Sequence, residues 1–523
     1  MSPRATPGRR PAFDPSAYER EVGSFLAESE EERYQHGAGL HDELALAPIY
    51  ARHASLFSRE AVDALRVRLD TGAGEAGTRA LLAFATDGYI GGRIAALTDA
   101  IGTAEATAIV VWRGERIAFR ALRNRISEIS GRAERNGLFA SYVEAEEALN
   151  PARRERFEQI GSLARELGYT DYVDLIRITR GFDPDALGSE MRGFLDESET
   201  PYFAALRRYL ARIEIEQGDA SLADLWYLTR GSGWDHWFDG RRLLAVLEST
   251  LAGMGIQLRR QAGATLDVEP RPNKAQRPFV AVVNAPRDVR LVIQPGGGWH
   301  DYDALLHESG HLEHFLHVDP HLPVSQRELG DASVTEGYAM TFERLLAEPA
   351  WLTEQLGMPD EHAIAFADFY ALYHLIGVRV LTARHLQELR TYRGGDAALH
   401  RATYAGLVGL LVGVIEPEER YLGFDDGMYA SAYLRAFMVD AALTDSLVAR
   451  HGDTWWRSAA AGETLRRAWS HGMAWNAEQL VAHLGYDSLD WRPVVRQIRA
   501  KLIGEMSGYG GPNITTRAGT RKV

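Results

Sequence analysis

The stretch His307-Glu308-Ser309-Gly310-His311 decides how the rest of the chain is read. It has the pattern H-E-x-x-H, inside a run of helical periodicity that includes Leu305, Leu306, Leu312, Phe315 and Leu316. Residues four apart share one face of a helix, so both imidazoles can reach a single metal ion. Glu308 then stands where a carboxylate can polarise a water held by that ion. Two histidines beside an open coordination position suit zinc and a hydrolytic site.

A catalytic zinc normally takes three protein ligands and a water. Glu336, 25 residues after His311 in Ser333-Val334-Thr335-Glu336-Gly337-Tyr338-Ala339-Met340-Thr341-Phe342-Glu343, is the candidate for the third. Asp319-Pro320-His321-Leu322-Pro323 supplies a loop that lets the chain turn back towards the first helix. Glu336, Met340 and Glu343 fall on one helical face, so one carboxylate can bind the ion and the other can support a ligand from behind.

The surrounding chain reads as mainly helical. Residues 153–167, 200–217, 240–253, 361–392 and 436–450 carry apolar residues at spacings of three and four, with abundant Ala, Leu, Arg and Glu. One region departs from this. Residues 277–284 and 289–294 are β-rich and are separated by Ala285-Pro286-Arg287-Asp288, which predicts a hairpin just before the metal helix. Pro295-Gly296-Gly297-Gly298 ends it as a tight turn or hinge, and Asp301 is favoured near the start of the next helix.

A chain of 523 residues exceeds one ordinary core, so two subdomains are expected, at 13–270 and 271–505, with a disordered arm at 1–12 and a disordered tail at 506–523. The formal charge of −14 argues against nucleic acid and anionic membranes as main partners. The absence of cysteine excludes disulfides, a thiol nucleophile and thiolate ligation, and fits a cytoplasmic protein. Residues 1–11 lack the apolar run of an export signal, and no stretch reads as a membrane span.

The motif residues resemble a known group, the zinc metallopeptidases of the thimet oligopeptidase and oligoendopeptidase F type. Angiotensin-converting enzyme is a more distant relative within the gluzincins. The family's H-E-F-G-H-x-x-H is similar to His307-Glu308-Ser309-Gly310-His311-Leu312-Glu313-His314. Its V-E-x-x-x-x-x-x-E segment is similar to Thr335-Glu336 through Glu343, and its strand pair to residues 277–294. Asp301 matches an Asp at the start of its metal helix, and Tyr429-Ala430-Ser431-Ala432-Tyr433-Leu434 matches a Tyr-Leu-rich helix near its C-terminus. Trp455-Trp456, residues 461–465 and Leu484-Gly485-Tyr486 look like its closing segment. The likeness is specific over 277–346, continues through 360–495 and is vague before 270.

The resemblance implies a mainly α, two-subdomain fold, with a small β-sheet beside the H-E-x-x-H helix and a deep central channel that admits short peptides. It implies one zinc ion per chain on His307, His311 and Glu336, with Asp301, His314 and Glu343 behind the ligands. Glu308 is then the general base, and Tyr433, or Tyr429 in its place, the phenol that stabilises the oxyanion. Asn284 falls where angiotensin-converting enzyme has a substrate-binding His. The chain departs from the family at Tyr421-Leu422-Gly423-Phe424-Asp425-Asp426-Gly427-Met428-Tyr429, which lacks the usual His and the Gly-Tyr-Tyr-Gly-Tyr run. Two other readings therefore stay open: a metal enzyme, one of iron for example, acting on a small metabolite or modified peptide, and a non-catalytic peptide binder. The intact Glu308 argues against the binder, which needs no general base.

Overall fold

Apolar residues spaced by three and four wind most of this chain into helices, and the computed structural model describes residues 13–502 apart from 73, 395, 396, 425 and 426. The arm at 1–12 and the tail expected at 506–523 lie outside the described residues. The helices that bear on the site are α1 (Pro15–Gly37), α2 (Leu46–Arg52), α3 (Glu75–Thr107), α4 (Arg132–Glu166), α5 (Tyr172–Arg180), α6 (Pro184–Arg212), α7 (Trp299–Leu316), α8 (Ala332–Glu343), α9 (Asp360–Arg393) and α10 (Tyr429–His451). One continuous apolar core runs from Tyr18 to Ile498, across position 270.

Two small sheets complete the fold. The expected hairpin forms as β4 (Phe279–Asn284) and β5 (Asp288–Val292), and β3 (Ala264–Asp267) adds to β5 in parallel, giving the order β3-β5-β4. A second hairpin, β1 (Ile109–Trp112) with β2 (Glu115–Ala118), was not expected from the sequence. Its turn residues Arg113 and Gly114 both have positive φ, as tight hairpin turns require. In the first sheet β4 is an edge strand, and its alternation sorts its residues. Ala281 packs with Tyr34, Ala38 and Val292 towards α1, while Val280 and Val282 line the cleft beside α7.

Helices also run further than their sequence periodicity suggests. α4 and α6 begin well before residues 153 and 200 and carry Pro151 and Pro201 inside them. Tertiary packing outweighs the missing N–H there, with Leu149, Phe157, Tyr202 and Leu206 buried around the two prolines. The 34-residue α9 is long and apolar enough to cross a membrane by length and composition, contrary to the expectation that no such run exists. Its apolar window is 72% buried inside the protein, which makes it a core helix that packs against α4, α6 and α10.

Three helices stack directly around the motif. α8 lies between α7 and α10, and a glycine opens each contact. A methyl group at Gly310 of α7 would lie 2.5 Å from Ala339 Cα and 2.7 Å from Tyr338 O of α8. One at Gly337 of α8 would lie 2.5 Å from Val439 Cγ1 of α10. Two buried or nearly buried ion pairs hold α10 in place: Arg344 to Asp440 at 2.5 Å, and Arg435 to Asp331 at 2.7 Å. Asp331 also caps α8 by accepting from Ser333 N at 3.0 Å.

Because the obstacle at Gly310 is backbone, no side chain can yield to relieve it. Gly310→Ala is expected to cost about 1–3 kcal/mol, the usual range for overpacking. Urea unfolding of metal-free protein measures this, and an unchanged midpoint would show that the helices can separate freely.

Candidate metal centre

The i, i+4 spacing on α7 turns His307 and His311 to one side, and α8 presents Glu336 opposite them. His307 Nε2 is 3.3 Å and His311 Nε2 3.7 Å from Glu336 Oε2. One donor atom from each of the three residues lies within 4.8 Å of the others, so the group can hold a metal ion. Glu336 Oε2 is buried and has no hydrogen-bond partner, a costly state that a cation at the centre of the three donors relieves. Burial raises the Glu336 carboxyl, but the neighbouring His307 and His311 imidazoles outweigh this and hold it far below the usual carboxylate range.

The outward nitrogens are also partnered. His307 Nδ1 donates to Glu343 Oε2 at 2.7 Å. His311 Nδ1 is 2.8 Å from Thr335 Oγ1, which in turn lies 3.2 Å from His314 Nδ1, and His314 Nε2 lies 3.2 Å from Gly472 O. These bonds are consistent in one direction only. Gly472 O can only accept, so His314 carries its proton on Nε2. Its Nδ1 then accepts from the Thr335 hydroxyl, which accepts from His311 Nδ1–H. That leaves His311 Nε2 unprotonated and facing the centre. Burial keeps His314 neutral by lowering its pKa to about 3. Thr335 was named in the sequence only as a neighbour of Glu336, and its role follows from where α8 crosses α7.

Behind His307, Glu343 is held by a second set of contacts. His374 Nε2 of α9 is 3.7 Å from its Oε1, and the Tyr370 hydroxyl donates to its backbone oxygen at 3.3 Å. Tyr370 also donates to Asp303. Burial and the nearby Glu343 charge push the Asp303 carboxyl up to about 7. The structure does not bring Asp301 to this network. Asp301 Oδ2 accepts from Gly296 N at 2.8 Å and Gly297 N at 2.7 Å, and so secures the turn before α7. Positions 301 and 307 are six apart and point to different faces, whereas 303 and 307 are four apart and share one. Helical spacing is therefore the signal that could have found Asp303.

Glu308, Tyr429 and Tyr433 line the cleft of about 340 Å³ that holds the three donors, together with Val280 and Val282 of β4. Burial raises the pKa of the Glu308 carboxyl. Tyr429 donates to Glu336 Oε1 at 2.7 Å, and burial together with the Glu336 charge raises its phenol well above the usual range. Tyr433 stands against it, ring centroids 5.1 Å apart and edge-on. Asn284 is not brought to the cleft. It is exposed at the far end of β4, past a register irregularity after Val282, and its backbone oxygen closes the turn by accepting from Arg287 N at 2.7 Å. The strand residues that reach the site are Phe279, Val280 and Val282.

His311→Ala and Glu336→Ala are each expected to abolish binding of one divalent ion per chain, as read by metal analysis of purified protein. Thr335→Val removes the hydroxyl but keeps the shape, and should weaken metal affinity about 10–100-fold. Unchanged affinity in a chelator competition would show that the hydroxyl relay does not support His311. A scan of the chain against models of protein families finds no match, and a search of curated proteins finds none either, so the three converging donors and their supporting bonds carry the reading of this site.

Proposed function

We propose that the protein is a zinc-dependent hydrolase of peptide bonds in short peptides, with one ion per chain on His307, His311 and Glu336. The observation that carries this reading is Glu308. It is a carboxylate in the same cleft as the donor set, adjacent to one ligand, yet outside the group of converging donors. Two imidazoles, one carboxylate and no thiolate suit zinc with positions left open. When bound, the ion supplies Lewis acidity to a water and to the substrate carbonyl.

The remaining work falls to the chain. Glu308 takes the proton of the attacking water and returns it to the leaving amine. Burial keeps its basicity above that of an ordinary carboxylate, as a general base near neutral pH requires. Tyr429 is committed to Glu336 and so acts as a positioning residue. Tyr433 is the phenol we assign to the carbonyl oxygen as negative charge develops there. β4 lies at the edge of its sheet with Val280 and Val282 in the cleft, and an extended peptide can add to it through backbone hydrogen bonds without regard to sequence. Cysteine-free composition suits a reducing compartment, and we place the enzyme in the cytoplasm.

A set of two His and one carboxylate also serves iron in some oxygenases. The half-buried carboxylate beside the ligands favours hydrolysis over that alternative, because oxygen chemistry needs no such base. Metal identity in purified protein and cleavage of a peptide library decide between them.

Glu308→Gln is expected to keep its metal and lose turnover by several orders of magnitude, since only the proton acceptor is removed. Normal turnover in this variant would rule out the mechanism. For Tyr433→Phe the expected loss is about 10²-fold in kcat with little change in KM, as for a contact made mainly in the transition state. A variant as fast as the parent would remove Tyr433 from the reaction.

A further inference from the structure

A second cavity, of about 840 Å³, adjoins the metal centre. Its walls come from α1, α2, α3 and α5, and from the first turns of α8 and α10. Phe25, Tyr50, Phe57, Phe84 and Ile94 make it largely apolar. Tyr429 lines both this cavity and the metal cleft, and its hydroxyl is 2.7 Å from Glu336, so the two spaces meet at this side chain.

Two features show that the cavity is shaped as a receptor. Gly91 and Gly92 lie on its α3 wall, and no heavy atom lies within 4 Å of where a Cβ would stand at either position. Glycine weakens a helix, and no neighbouring atom requires it here. What the two positions provide is open space. On the opposite wall Ser333 Oγ is buried without a hydrogen-bond partner, two residues from Thr335, and offers a polar anchor to a backbone group. Two of the charged groups on the wall, Arg180 and Asp87, pair with each other at 2.5 Å. Apolar walls, a volume typical of ligand sites and one or two placed polar groups suit an apolar occupant with a peptide-like backbone.

We propose that this cavity is a side-chain subsite of the metal centre, which takes large apolar residues flanking the cleaved bond and so makes short apolar peptides the substrates. The proposal rests on the peptidase reading above. The test compares two blocked hexapeptides, one with two central phenylalanines and one of alanine throughout. Wild-type protein should cleave the first with a kcat/KM at least about tenfold higher, because filling an apolar pocket discriminates on that scale. Gly91→Leu or Gly92→Leu puts a side chain into the open space and should reduce that preference at least about tenfold, mainly through KM. Both substitutions favour the helix, so an unchanged or higher Tm is expected and confirms folding.

Equal cleavage of the two peptides by wild-type protein, or a preference that both leucine variants keep, overturns the subsite and leaves the peptidase reading standing. If neither peptide is cleaved, the peptidase reading fails, and calorimetry with Glu308→Gln protein judges the cavity separately. Tighter binding of the phenylalanine peptide, weakened by adding Gly91→Leu, keeps it as an apolar-peptide site. No binding, or binding of a fatty acid in preference to the peptide, overturns it.

Discussion

Everything at the metal centre depends on two helices that touch backbone to backbone at Gly310. His307 and His311 are fixed on α7 and Glu336 on α8, so the distance between imidazoles and carboxylate is set by how closely the two helices approach. A Cβ at 310 would occupy space already filled by Ala339 Cα and Tyr338 O. The fourth residue of H-E-S-G-H is thus part of the site although it carries no chemistry. Gly337 repeats the device on the other side of α8, where α10 brings in Tyr429 and Tyr433. Two glycines on successive interfaces bring three helices close enough for their side chains to converge.

Convergence alone would leave the donors free to rotate. What holds them is a ring of acceptors behind each imidazole: Glu343 behind His307, and Thr335 with His314 behind His311. The ring draws on α8 and α9 as well as α7, so the core helices serve as the rigid support that a precise site needs. The β-sheet borders the same cleft, where Val280 and Val282 of the edge strand β4 stand beside Glu308.

Much of this was legible in the residues because it is periodic. The four-residue step gives the two imidazoles, the helical face of Glu336 and Glu343 gives the donor and its support, and β-branched runs around Ala285-Pro286 give the β4–β5 hairpin. The mainly helical fold with small sheets follows from the same periodicity. Contacts made only by tertiary packing were not legible. Thr335 is an ordinary helical Thr until α7 crosses it, Tyr370 and His374 lie on a distant helix, and the cavity between α3 and α10 belongs to no single segment. Asn284 and Asp301 were carried over by position in a motif rather than by geometry, and the structure puts both at turns. Asp303 was within reach of a simple helical count. The β1–β2 hairpin escaped notice because four-residue strands are too short for a pattern of two to stand out.

The two oxygens of Glu336 have separate duties: Oε2 faces the histidine nitrogens and Oε1 takes the Tyr429 hydroxyl. That division favours ligation through Oε2 alone. An ion drawn onto both oxygens would compete with the phenol for Oε1 in a buried place, where an unpaired hydroxyl is costly. Among the described residues three donors converge on the site. An ion held by them would keep room on the cleft side, in part through a hydrogen bond that never touches it.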